Sequence, residues 1–110
     1  MPYAIIFEAE PNPGREEEYF ALSRGLFAIL YEQPGFLRID RARSVLTEGK
    51  LLSISFWESE AAIEAWARHP QHREAQARGK QGIFKRMRIT RLEVLSERDV
   101  PVAVPHSAAD

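Results

Sequence analysis

Cysteine is absent from the sequence, which removes disulfides, thiol nucleophiles and thiolate metal ligands together. Charge of one sign is not in excess either: 15 Lys and Arg stand against 16 Asp and Glu, a formal net charge of −1. Nucleic acid is therefore not the expected partner, because phosphate binding needs a basic surplus. No apolar run approaches membrane-spanning length, so no membrane partner is expected. The opening "MPYAIIFEAEP" has no basic segment ahead of its short apolar run, and a cytoplasmic location is the expectation. Glycine-rich phosphate loops, nucleophile elbows and zinc motifs are missing as well.

What remains is an ordinary globular composition, 45% hydrophobic and 28% charged over 110 residues, the size of one domain with a small core. "YAIIFEAE" (Tyr3–Glu10), followed by "PNPG", reads as a strand and a turn. "REEEYFALSRGLFAILYEQ" places Tyr19, Phe20, Leu22, Leu26, Phe27 and Leu30 mostly three and four apart, an amphipathic helix. Glu16, Glu17 and Glu18 suit the positive end of its dipole, and "QPG" ends it. "FLRIDRARS" alternates, with Leu37 and Ile39 one way and Arg38 and Asp40 the other. The turn "TEGK" joins it to "LLSISFW" (Leu51–Trp57) as a hairpin. "SEAAIEAWARHP" begins at Ser59 as N-cap and is interrupted at Pro70. "QHREAQARGKQG" resumes as a polar helix, and "IFKRMRITRLEVLS" is a last strand, with a bulge expected between Ile89 and Leu92 where the apolar phase changes. The Pro-rich end suggests a domain over 1–97 and an extended tail over 98–110.

The order is β-α-β-β-α-β, an α+β, ferredoxin-like split βαβ pattern. Helices on one sheet face leave the other uncovered, and an uncovered apolar face predicts a homodimer through the sheet.

The run "SFWESEAAIEAWARHPQHREAQARG", ahead of a basic last strand, and "EQPGFLRID" before the hairpin resemble the antibiotic biosynthesis monooxygenase family over roughly Tyr3 to Glu97. The most specific part is Trp66, His69, Pro70, His72, Ala75, Gln76 and Gly79. The resemblance implies a dimeric α+β barrel. It further implies a cofactor-independent monooxygenase acting on a small aromatic quinol- or polyketide-type substrate, with no cofactor and no metal. The alternatives are a non-catalytic small-molecule-binding barrel of the same shape and a haem-binding or haem-degrading relative. Haem is disfavoured because the resemblance places the axial His near Gln76 and an Asn near Phe7.

In the resembling family a Trp at the place of Trp66 lines the cavity; the residue pattern equally allows a core aromatic. With Phe20, Phe27 and Phe56 it is expected to wall in the substrate ring. Arg24 and Arg86 are equal candidates for the cation that steadies a substrate anion. Tyr3, Tyr19 and His72 are the candidate bases. His69 and His72, three apart, lack a third ligand for a metal.

Overall fold

The structure, a computed structural model, describes residues 2–103. Its elements run β1 (Tyr3–Pro11), α1 (Glu16–Tyr31), β2 (Phe36–Arg43), β3 (Leu51–Trp57), α2 (Glu60–Ala67), α3 (Pro70–Gly79) and β4 (Phe84–Glu93). The four strands form one antiparallel sheet in the order β2-β3-β1-β4. β3 thus sits between β1 and β2, the split arrangement expected from the element order.

Strand alternation divides the sheet into two faces. Tyr3, Ile5, Phe7, Ile39, Leu51 and Trp57 pack with helix residues in two apolar clusters. One is centred on Leu30, Trp57, Ile63 and Trp66, the other on Tyr19, Leu51 and Ile83. The intervening positions Ile6, Leu52, Ile54, Phe56 and Leu92 point to the opposite face, which no helix among the described residues covers.

The helix ends follow from local chemistry. Ser59 caps α2 by accepting a hydrogen bond from the Ala62 N–H (3.2 Å). Pro70 opens α3 rather than merely breaking α2: its fixed φ suits the first helical position. The His69 side chain caps α3, Nδ1 accepting from the Gln71 N–H at 3.2 Å. Between α1 and β2 the chain reverses at Gly35, where φ is +83° and an added Cβ would stand 2.6 Å from the Ala62 Cβ. Only glycine satisfies both conditions.

Two strand details differ from the sequence expectation. The register of β4 on β1 runs unbroken from Tyr3↔Glu93 to Glu10↔Arg86, so there is no bulge between Ile89 and Leu92; the irregularity lies at Glu10/Pro11 instead. The phase change arises because Ile89 faces the helices while Leu92 faces the open side, both of them exposed. On β2 the register shifts between Phe36 and Arg38. Leu37 is the extra residue, largely exposed, and does not share the inward face of Ile39.

Beyond β4 the chain carries no helix or strand through residue 103. The Val94 N–H donates to the Pro2 carbonyl (2.9 Å), and Glu97 reaches Arg38 on the far edge strand at 2.5 Å. Residues 104–110 of the expected tail lie outside the described residues.

Candidate functional site

The first turns of α1 lie over the β2–β3 hairpin, and the gap between them is a cleft of about 270 Å³. It is lined by Tyr19, Phe20, Arg41, Ala42, Arg43, Leu51 and Leu52. Tyr19 and Phe20 come from α1, placed there by the helical spacing that also buries Leu30. Leu51 begins β3 on the inward face and is buried.

Arg41 is the unusual member. It is two residues after Ile39, so strand parity turns it toward α1, where apolar side chains are the rule. Its guanidinium donates to the Ser23 Oγ at 2.8 Å. It also lies 4.8 Å from the Phe27 ring centre and 5.4 Å from that of Phe20, within cation–π range. Ser23 and Phe27 are four apart on α1, as are Tyr19 and Ser23, so a single stripe of the helix receives the arginine. No carboxylate pairs with Arg41 among the described residues. Its neighbour Arg43 is neutralised by Glu16 (2.6 Å).

Tyr19 is 7% exposed, and its ring packs edge-on to Phe84 and against Phe20. Burial raises its phenol pKa above the usual value, with Arg41 and Ser23 opposing the shift. The phenol is therefore protonated at neutral pH and offers a proton rather than accepting one.

The structure brings together only part of the set expected from sequence. Tyr19 and Phe20 line the cleft, and Phe27 touches its arginine. Trp66 is elsewhere: 7% exposed, it stacks on Trp57 at 6.5 Å in the core cluster between α2 and the sheet. His72 lies over Trp66 at 4.7 Å, away from the cleft. The His72 Nδ1 is buried without a hydrogen-bond partner of ordinary geometry. Burial lowers the His72 pKa most, with the Ala67 and Trp66 backbone pulling weakly the other way and nearby His69 lowering it further.

Phe56 points to the open sheet face, because it precedes the inward Trp57; the Arg38 guanidinium covers its ring at 3.7 Å. Arg86 is on that face too, in a polar hollow of about 210 Å³ with Glu8, Glu10, Thr47, Lys50 and Arg88. Arg24 is exposed on α1 and lines neither recess. The cation at the cleft is thus Arg41, which charge alternation in "FLRIDRARS" disguised as a solvated side chain.

Among the described residues no three His, Asp or Glu side chains converge to hold a metal ion. Phe7 packs edge-on to Phe84 at 6.0 Å, filling the core at the first-strand position at issue for haem. Gln76, half-buried on α3, supplies an amide, which is not an axial haem ligand. No helix among the described residues is long and apolar enough to cross a membrane.

Comparison with known proteins agrees with this architecture. Rv0793 from Mycobacterium tuberculosis superposes with a TM-score of 0.81 at 20% identity, covering 90% of this chain and 100% of that one. SnoaB from Streptomyces nogalater, a cofactor-independent oxygenase, superposes with a TM-score of 0.74 at 14% identity, over 87% of this chain and 95% of that one. In sequence, the jasmonate monooxygenase ABM of Pyricularia oryzae is 31% identical over 83 residues. That match takes in 76% of this chain but only 39% of the fungal protein. The sequence profile of the antibiotic biosynthesis monooxygenase family matches residues 2–78, and the chain belongs to that family.

Proposed function

We propose that the chain is a cofactor-independent monooxygenase that oxidises an electron-rich, ring-bearing small molecule in the cleft between α1 and the β2–β3 hairpin. The observation that carries this reading is Arg41: an arginine without a carboxylate partner among the described residues, held against two phenyl rings beside a buried tyrosine. Two relatives named for oxygenation, SnoaB and the jasmonate monooxygenase, support the reaction class.

For a ring methylene flanked by carbonyl and aryl groups, loss of one proton gives an enolate that can reduce oxygen itself. One electron passes to O₂, and the resulting radical pair joins to form a carbon–oxygen bond. The peroxide so formed takes a proton, the O–O bond breaks, and the carbon keeps one oxygen as a carbonyl while the other leaves as water. The substrate carbon supplies all four electrons, so the balance is CH₂ + O₂ → C=O + H₂O. The protein's task is to hold the ring out of water, steady the oxyanion and return a proton. Phe20 and Leu51 supply the apolar wall, Arg41 the cation and the protonated Tyr19 phenol the donor.

Oxygen uptake by chelator-treated protein with a panel of anthrones and hydroquinones tests this reading. Anthrone turnover should place one atom of isotopically labelled oxygen in the product carbonyl. Tight ring binding with no uptake across the panel would favour a binding protein instead. The open sheet face, apolar at Ile6, Ile54, Phe56 and Leu92, is the proposed contact of a homodimer. A protein that sediments as a monomer at micromolar concentration would refute that assembly.

A further inference from the structure

We propose that the cleft takes its substrate already ionised, as a planar phenolate or enolate seated on Arg41, so that the proton is lost before binding and not to a side chain. The proposal rests on the cleft being the substrate site, and it fixes the chemical class: a ring compound whose phenol or enol is acidic enough to ionise near neutral pH.

None of the cleft's lining residues is a carboxylate or an imidazole. From α1 the titratable groups facing it are Tyr19 and, one turn earlier, Glu16, which Arg43 holds. From β2 come Arg41 and Arg43, with Asp40 on the opposite face. From β3 the inward positions are Leu51 and Ser53, the latter paired across the register with Arg41. Among the described residues that face the cleft there is no base able to take a proton from a bound neutral phenol. His72 sits over Trp66 in the other cluster.

Arg41 is half-buried between α1 and the sheet, and withdrawing a charge from water without a counter-charge is costly in proportion. Here the partners are a neutral hydroxyl and two ring faces. These leave the cation without a carboxylate among the described residues, at a cleft whose lining includes Phe20 and Leu51. A neutral ring would leave that charge uncompensated; an anionic ring completes the pair. A cation within contact distance lowers the pKa of an acidic partner by about one to three units. The site should therefore prefer the anion about 10- to 1,000-fold over the neutral form.

4-Nitrophenol is the probe, since its neutral and ionised forms absorb at different wavelengths and it is not an oxygenation substrate. Titrated with the intact protein at a pH below its free pKa, it should bind with the phenolate spectrum and show an apparent pKa lowered by about one to three units. Arg41→Gln should abolish the shift. Ser23→Ala, which keeps the charge and loses only its tether, should reduce it in part. Unchanged near-ultraviolet circular dichroism from Trp57 and Trp66 would certify the fold of both variants. Bound probe with the neutral spectrum, no binding, or a shift that survives in folded Arg41→Gln would overturn the proposal. An unfolded Arg41→Gln leaves Ser23→Ala to decide, and an undiminished shift there overturns it too. The outcome is separable from the oxygenase reading: phenolate binding without oxygen uptake leaves the anion site standing and removes the oxygenase, and uptake without phenolate preference does the reverse.

Discussion

Trp66→Ala separates a core aromatic from a cavity wall. Trp66 is 7% exposed, stacked on Trp57, and touches His69 and His72 on its other side. An aromatic side chain of this size buries about 150–250 Å². At about 25 cal/mol per Å² this corresponds to about 4–6 kcal/mol. A realistic unfolded chain already hides part of that area, which brings the figure to about 3–5 kcal/mol, the range typical of such truncations. Against a total of about 5–15 kcal/mol for a domain, this is a large share. Urea unfolding followed by Trp57 fluorescence should show a lower midpoint with an unchanged slope. Because Trp66 does not line the cleft, 4-nitrophenol should still bind to the folded fraction with its affinity intact. A loss of stability below about 1 kcal/mol together with loss of ligand binding would refute the placement of Trp66 in the core.

Other perturbations follow from particular geometry. Gly35→Ala meets both a positive φ and the Ala62 Cβ, whereas Gly14→Ala meets only a positive φ of 81° in open space. Thermal unfolding should show about 1–2 kcal/mol lost at Gly14 and about 1–3 kcal/mol more at Gly35; equal costs would deny the close approach. Ser59→Ala removes the acceptor for the Ala62 N–H and should cost about 1 kcal/mol in chemical denaturation, with Ser59→Asp retaining most of it. His72 has a folded pKa below the ordinary 6.5, so the unfolded chain binds the proton more readily. Its contribution is complete above about pH 6.5 and is lost as pH falls from there through the lower folded value. His72→Gln should flatten that part of the stability profile relative to wild type, and an unchanged slope would exclude His72 as its source.

The sequence made the scaffold legible because its strongest signals are local. Ser59, Pro70 and the Gly-containing turns mark element ends through their own backbone chemistry, and the structure places the ends there. Ile63 and Trp66, three apart in sequence, are both buried on α2. The site was less legible because it depends on which face of the sheet meets the helices. Leu52, Ile54 and Phe56 are more apolar than their alternates Ser53 and Ser55, so apolar pattern alone does not say which face meets the helices, and the structure turns Phe56 to the open one. Parity nonetheless held a usable signal: Phe56 and Trp57 cannot share a face, and Arg41 must follow Ile39 inward. Arg86 lies on the open face and Arg24 is exposed on α1, placements that no sequence period specifies. The approach of Ser23 to Arg41, 18 residues apart in sequence, leaves no trace in composition or period.

The proposed place of oxidation is the Arg41 cleft. The direct measurement is the rate of oxygen uptake by wild type, Arg41→Gln and Arg24→Gln on one anthrone, with metals chelated and each fold verified. The expected result is a loss of about 100-fold or more in Arg41→Gln, the scale of removing an oxyanion-stabilising donor. Arg24→Gln, exposed and remote from the cleft lining, should retain wild-type uptake. A folded Arg41→Gln that consumes oxygen at the wild-type rate would contradict the account.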